Sequence, residues 1–122
     1  MRKDFNASLK PDDYKYLSFQ LWKEGTATYT EIQIAKLAAQ NYKPGKEFTK
    51  LPDYKPYSEV AAEIENRTIE SLKNMSLEKT KREVVYAFGA GEALILDRAE
   101  INWKPRYFSE KFYLDKYFPS DK

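Results

Sequence analysis

Residues 84–96 form an almost unbroken apolar run, and this run constrains the fold more than any other feature of the sequence. Its one charged residue is Glu92. A helix that is apolar all round is expected to be surrounded by protein. We therefore predict that this run is the central helix of the domain, within a longer helix from about Leu77 to Ile101. Gly89 and Gly91 are poor helix formers, so their presence predicts that neighbouring elements press closely against the helix there.

The remaining sequence is also typical of helices. Pro11 suits a first helical position, and a helical pattern follows from about Tyr14 to Asn41, with a break or kink expected near Gly25. Residues 1–10 are interpreted as a loose lead-in. Apolar residues at helical spacing predict one packed face on this helix. They are Leu17, Leu21, Ala27, Ile34, Leu37 and Ala38.

A second helix is predicted from about Ser58, a favourable N-cap residue, to Asn74. Its apolar stripe consists of Ala61, Ile64, Thr68, Leu72 and Met75. The connection before it, residues 42–57, contains several prolines that exclude a continuous helix. We predict a surface loop there, held down by its aromatic residues.

The C-terminal residues 103–119 are rich in aromatic side chains and are predicted to form one or two short helices, beginning at Pro105 and ending at Pro119. Such a tail is expected to fold back onto the bundle or to remain available to a partner. Together, these patterns predict a single all-α domain, residues 1–122, of about four helices around the apolar run at residues 84–96, with an ordered Pro-containing loop.

The composition excludes several classes of function. The chain contains no histidine and no cysteine, so a Ser-His-Asp or Cys-His catalytic site and a Cys/His zinc site are impossible within it. The 21 basic residues nearly balance the 19 acidic ones, which gives no electrostatic case for binding nucleic acid. The sequence has neither an apolar stretch long enough to span a membrane nor the apolar core of a secretory signal in its first residues. No cofactor is expected in this chain.

Glu24, Thr28 and Glu31 are the first candidates for a functional site. Their spacing of four and three residues places them on one face of a helix. Seven residues of helix rise about 10 Å, too far for both carboxylates to bind one metal ion easily. Glu24 and Thr28 form the compact pair, with Glu31 farther out. The alternative is that both acids pair with nearby lysines on a wet surface.

Glu92 is the second candidate, because burying a carboxylate in an apolar helix is costly unless it is paired or protonated. One interpretation is a core ion pair or a hydrogen bond to tyrosine. The other is a pocket acid with a raised pKa. Asp97 and Arg98, farther along the same helix, are expected to make contacts at its end.

The segment Trp22–Tyr29, with the letters WKEGTATY, resembles the W-x-x-E-G-x-A-x-Y segment of gluzincin zinc metallopeptidases, notably the aminopeptidase branch, and departs from it in having one residue rather than two between Trp22 and Glu24. Residues 89–98 and the aromatic tail also resemble the C-terminal half of a group of bacterial zinc-dependent peptidases. The resemblance covers roughly residues 14 to 118. In that family, a His-Glu-x-x-His helix supplies two zinc ligands and the general base. The resemblance implies that Glu24 matches the third zinc ligand and that Thr28 matches a neighbour of the site.

The absence of histidine departs from this family, because the first two zinc ligands and the base are missing from the chain. The resemblance therefore implies a catalytically incomplete, metallopeptidase-like helical domain, which is either a piece of a zinc-dependent peptidase or a relative that has lost catalysis. Two alternatives remain open. One is a helical interaction module that binds a protein partner or itself through the aromatic tail or the loop at residues 42–57. The other is a small-ligand binder, or a small enzyme, with Glu24, Glu31 and Glu92 as its acids.

Overall fold

The computed structural model describes residues 2–119, which fold into helices with no strand among them. A π-helical turn, Leu21–Gly25, joins two successive α-helices, and short 3-10 turns cover Phe48–Lys50, Lys81–Glu83 and Leu114–Tyr117. The prediction of an all-α fold is confirmed. The α-helices are α1 (Arg2–Ser8), α2 (Pro11–Gln20), α3 (Thr26–Asn41), α4 (Tyr57–Asn74), α5 (Leu77–Thr80), α6 (Val84–Arg98) and α7 (Arg106–Ser109).

Helix α6 is the centre of the fold, as the apolar run predicted. It packs against the π-helical turn, α3, α4 and the last 3-10 turn. Nine of its fifteen residues are buried. It is not enclosed on every side, however, because Tyr86, Phe88 and Ile95 are 43%, 37% and 57% exposed. The helix therefore contributes to the core through its small residues and leaves larger apolar side chains at the surface.

Two predicted boundaries were wrong. Residues 1–10 were expected to be a loose lead-in, but α1 spans Arg2–Ser8. The helix expected from Leu77 to Ile101 is interrupted at Lys81, whose φ of 50° lies in the left-handed region, and α6 ends at Arg98. Residues 77–83 bury no side chain, so no apolar packing holds that stretch in line with α6.

The predicted packed face of α3 was also wrong. Ile34 and Leu37 are 62% and 57% exposed, whereas Ile32 and Ala35 are buried. The π-helical turn accommodates an extra residue in the helix, and each extra residue rotates the following side chains by about 100°. Apolar spacing counted across that turn therefore selects the wrong face.

Helix α4 follows the prediction closely. Ala61, Ile64 and Thr68 are buried along one stripe. The helix begins at Tyr57 after Pro56, and no side chain caps it, so Ser58 is not its N-cap. The preceding loop is held by ring contacts, as expected, with Phe48 and Tyr54 meeting edge to face at 5.6 Å and Tyr42 meeting Tyr57 at 5.9 Å.

The aromatic tail folds back onto the bundle. Trp103, Leu114 and Tyr117 are buried in the main hydrophobic core. Helix α7 follows Pro105, in agreement with the predicted start. None of the helices formed by residues 2–119 is long and apolar enough to cross a membrane.

Candidate functional site

Gly25 and Gly89 bring the π-helical turn and α6 into backbone contact. A Cβ added to Gly25 would lie 2.6 Å from the carbonyl carbon of Gly89, and one added to Gly89 would lie 2.5 Å from the carbonyl oxygen of Leu21. Real Cβ atoms do not approach other atoms so closely, so only glycine fits at either position. The close approach predicted from Gly89 is confirmed. Gly91, two residues on, faces the Leu72 side chain of α4, and a Cβ added to Gly91 would lie 2.9 Å from Leu72 Cδ1.

The π-helical turn is held from the tail by Tyr107. The ring of Tyr107 stacks on Trp22 with 4.3 Å between centroids, and the indole N–H of Trp22 donates to the Tyr107 carbonyl at 3.1 Å. The Tyr107 hydroxyl donates in turn to the Trp22 carbonyl at 3.2 Å, and the Thr26 hydroxyl donates to that same carbonyl. Backbone groups displaced by a π turn need partners of this kind.

Glu24 lies within the π-helical turn, directly before the glycine contact. Its side chain is 26% exposed, and its Oε1 lies 3.3 Å from Nζ of the neighbouring Lys23. The Thr28 hydroxyl donates to the backbone carbonyl of Glu24 at 3.4 Å. The carboxylate of Glu24 thus stands at the protein surface, on a part of the backbone that the glycine contact fixes in place.

Glu31 and Thr28 line a shallow groove of about 180 Å³. Arg67 and Tyr86 also line it, and it adjoins a larger groove of about 530 Å³ between α4 and the start of α6. Glu24 is not among the residues that line either groove. The structure therefore places Thr28 and Glu31 together in the groove and Glu24 beside it.

Asp97 is the centre of a network of polar contacts. The sequence predicted only that this residue makes a contact at the end of its helix. The Tyr29 hydroxyl and the Trp103 indole N–H both donate to its carboxylate, the latter at 2.9 Å. Lys104 Nζ lies 3.1 Å from Asp97 Oδ1. Burial opposes ionisation of Asp97, but these three partners outweigh it and lower its pKa. A carboxylate so well satisfied ties α3, α6 and the tail together.

Glu92 occupies a different place, against α1. Its residue is 7% exposed, and its Oε1 lies 2.9 Å from Arg2 Nε. Arg2 also lies 5.3 Å from the centroid of the Phe88 ring. Burial raises the pKa of Glu92 to about 7, although the charge of Arg2 lowers it and that of Asp115 raises it further. The core ion pair expected for Glu92 is thus present, together with the raised pKa of the alternative interpretation.

Asp115 stands on the other side of Arg2, with Oδ1 at 3.9 Å from the guanidinium Nη2. The Tyr14 hydroxyl and the Asn6 amide donate to Asp115 Oδ2 at 2.9 and 3.2 Å. Burial, followed by the hydrogen bond to Asp115, raises the pKa of Tyr14 to about 12. These contacts join α1 and α2 to the last 3-10 turn.

Several buried polar atoms around this centre lack a hydrogen-bond partner. Glu92 Oε2, Asp115 Oδ1 and Asn6 Oδ1 accept no hydrogen bond. The geometry of the ion pair with Glu92 leaves Arg2 Nε–H without an acceptor. Buried polar groups are usually satisfied, so each such atom calls for an explanation.

No group of three or more carboxylate, histidine or cysteine side chains within residues 2–119 is arranged to hold a metal ion. The chain matches no protein-family model, and comparison with curated proteins and with solved structures finds none that matches it.

The acids singled out from the sequence lie in three separate surroundings. Glu24 lies at the glycine contact, Glu31 in the groove with Thr28, and Glu92 in the polar centre beneath α1.

Proposed function

We propose that this chain is a catalytically incomplete, metallopeptidase-like helical domain in which Glu24 holds the position of a third zinc ligand. The observation that supports the proposal most directly is the position of Glu24. Its partly exposed carboxylate is paired only with the adjacent Lys23, among the ion pairs of the described residues, and its backbone is fixed by the contact between Gly25 and Gly89. A metal ligand has to be both accessible and rigidly placed.

The chain alone does not hold zinc in a catalytic arrangement under this proposal. Zinc in peptidases is bound by three protein ligands and lowers the pKa of its bound water to about 7. A single carboxylate supplies one ligand, and the nearest positive charge, Lys23, competes for it. The two imidazoles and the general base would have to come from a segment outside this chain, or they have been lost.

Zinc titration of the purified chain tests this proposal. We expect a dissociation constant weaker than micromolar and no peptide cleavage, because one ligand does not replace the hydration shell of the ion. A dissociation constant for zinc tighter than micromolar, with binding weakened by Glu24→Gln but not by Glu31→Gln, would contradict the proposal that the metal site is incomplete.

The coding sequence upstream of Met1 supplies the complementary test. An in-frame His-Glu-x-x-His there would make this chain part of a longer peptidase. In the extended protein, Glu24→Gln should then weaken zinc binding at least tenfold, since a ligand matters no less than the outer groups that orient ligands. Unchanged zinc affinity in that variant would overturn the role of Glu24.

A second candidate function is a helical interaction module, and one observation favours it. Phe108 is 73% exposed in a tail whose other aromatic rings are mostly packed. An exposed phenylalanine beside Tyr107, with the two rings meeting edge to face at 4.9 Å, is the kind of aromatic anchor that protein interfaces use.

A further inference from the structure

The polar centre beneath α1 has the composition of a site for a cation. Two carboxylates, Glu92 on α6 and Asp115 on the last 3-10 turn, approach the guanidinium of Arg2 from different elements. The ring of Phe88 lies 5.3 Å from the guanidinium carbon, within the range of a cation–π contact. Acidic and aromatic groups that converge in this way stabilise a planar, delocalised cation.

Arg2 fills this centre imperfectly. A guanidinium has five N–H donors in a planar fork that matches a carboxylate in a two-point contact. Here a single nitrogen lies within 3 Å of Glu92, while Glu92 Oε2 and Asp115 Oδ1 remain without a donor. Asp115 Oδ1 is 3.9 Å from the guanidinium, beyond hydrogen-bond distance. The centre therefore offers more acceptor capacity than its present occupant uses.

Helix α1 is suited to give up its place. It has seven residues, none of which is buried, so detaching it exposes little of the core. Glu92, by contrast, is 93% buried on the helix at the centre of the fold, and the side chain of Asp115 is only 18% exposed. The acceptors are thus fixed by the scaffold, and the occupying cation is carried on an element at the surface.

We infer that Glu92, Asp115 and the Phe88 ring form a recognition site for a guanidinium group, which Arg2 occupies within the chain and which an external guanidinium ligand can take over. The site is independent of the proposed metal position at Glu24. In this arrangement Arg2 acts as an internal competitor. The apparent affinity for an external ligand equals the affinity of the vacant site multiplied by the fraction of molecules in which α1 is detached.

Titration with methylguanidinium at pH 8.5, above the pKa of about 7 that burial gives Glu92, tests the inference, with amide NMR shifts of residues 88–92 and of Asp115 as the readout. Arg2→Gln removes the competitor, so we expect this variant to bind methylguanidinium at least tenfold more tightly than the wild type. Arg98→Gln, which removes an exposed arginine of α6, is the matched control and should leave the affinity unchanged. Methylammonium at equal ionic strength should bind less well, because it lacks the planar fork.

Removing the carboxylates that accept hydrogen bonds from the ligand should abolish the tighter binding of methylguanidinium by Arg2→Gln. We expect Arg2→Gln/Glu92→Gln to lose binding, and Arg2→Gln/Asp115→Asn to weaken it at least fivefold, with circular dichroism confirming that each variant is folded. The second double variant keeps the test decisive if the first does not fold. Equal affinity of the wild type and Arg2→Gln, or binding that survives both acceptor changes, would overturn the site.

Two sources could supply the guanidinium group, and the same titration separates them. If the natural ligand is a free guanidinium compound, methylguanidinium should shift the amide resonances without any need for a peptide. The arginine side chain of a protein partner would favour a capped Gly-Arg-Gly peptide over methylguanidinium by at least tenfold, with a Gly-Lys-Gly peptide inactive. A response to lysine and arginine peptides alike would show attraction to negative charge only and would contradict the inference.

Discussion

At the scale of single residues, two glycines determine how closely the π-helical turn approaches α6. The distances from added Cβ atoms at Gly25 and Gly89 to the facing backbone, 2.6 and 2.5 Å, involve atoms that cannot change rotamer. Relief therefore requires that one helix move as a whole. Gly45, in the loop before α4, has nothing within 4 Å of the same atom, and the two positions form a natural pair for comparison.

We expect Gly25→Ala to lower the free energy of unfolding by more than about 2 kcal/mol, since overpacking in a tight interior commonly costs 1–3 kcal/mol. Gly45→Ala should stay within about 1 kcal/mol of the wild type, because its methyl group meets open space. Urea unfolding followed by circular dichroism measures both. A Gly25→Ala variant as stable as Gly45→Ala would show that the two helices are not in backbone contact.

Glu92 makes stability depend on pH. Its pKa is about 7 in the folded chain, against an ordinary value of 4.5. The folded state therefore binds more protons than the unfolded state between these values, and the stabilising effect of protonated Glu92 is lost as the pH rises through this window. Ionisation of this residue costs the fold free energy even though Arg2 stands opposite.

We expect Glu92→Gln to flatten the pH dependence of stability. Relative to the variant, the wild type should lose on the order of 3 kcal/mol between pH 4.5 and pH 8. Glu78→Gln, at an exposed position on α5, serves as the control and should follow the wild type. Denaturant unfolding at a series of pH values measures the effect, and parallel curves for wild type and Glu92→Gln would refute it.

At the scale of elements, the interruption before α6 is the clearest departure from regular helix. Lys81, the first residue of the 3-10 turn after α5, adopts φ 50° and ψ −130°, a conformation that L residues with a Cβ rarely adopt. Such a residue typically stores about 1–3 kcal/mol of strain. On the N-terminal side of Lys81, the Thr80 hydroxyl donates to the Ser76 carbonyl at 2.7 Å.

Lys81→Gly is expected to raise the free energy of unfolding by about 0.5–1 kcal/mol, because glycine adopts positive φ without a steric cost. Lys79→Gly, two residues earlier within α5, should lower it by about 1 kcal/mol, as glycine does inside a helix. Thermal unfolding of both variants measures the contrast. A loss of stability in both would show that residue 81 is helical in solution.

The sequence predicted the elements whose signals are local. The apolar run gave α6, the stripe Ala61–Ile64–Thr68 gave α4, and the prolines gave the loop at residues 42–57. Helix α1 carries no apolar stripe and was missed, because it is held by polar contacts to residues about 90 and 110 positions away. The packed face of α3 was missed because a π turn changes the helical phase. Gly25 predicted a break or kink at the right place, and the π-helical turn Leu21–Gly25 lies there, but a glycine does not specify that the turn takes up an extra residue.

At the scale of the whole molecule, the tail closes the bundle and leaves one large aromatic side chain outside it. Asp97 accepts hydrogen bonds from Tyr29 of α3 and Trp103 of the tail. Tyr107 of the tail donates a hydrogen bond to the π-helical turn. The candidate site, like the fold, could be predicted only where the signal is local in the sequence. Glu24 and Glu92 could be singled out from their neighbours in sequence, but the partners of Glu92 come from both ends of the chain, so composition and spacing could not supply them.

The exposed Phe108 gives the interaction module a direct test. If this residue anchors self-association, the mass measured by light scattering should rise with concentration for the wild type and remain that of a monomer for Phe108→Ser. Phe5→Ser, which changes another exposed phenylalanine, 44% exposed on α1, should behave as the wild type. A wild-type chain that is monomeric throughout the series would remove self-association through the tail.

The meeting of Gly25 with Gly89 has a mechanical consequence. Where side chains interdigitate, helices can slide by changing rotamers, but two bare backbones leave no adjustable part between them. We therefore expect the π-helical turn and α6 to move as one unit rather than to slide past each other. Glu24 directly precedes Gly25, so the backbone that carries its carboxylate cannot slide along α6 without breaking this contact.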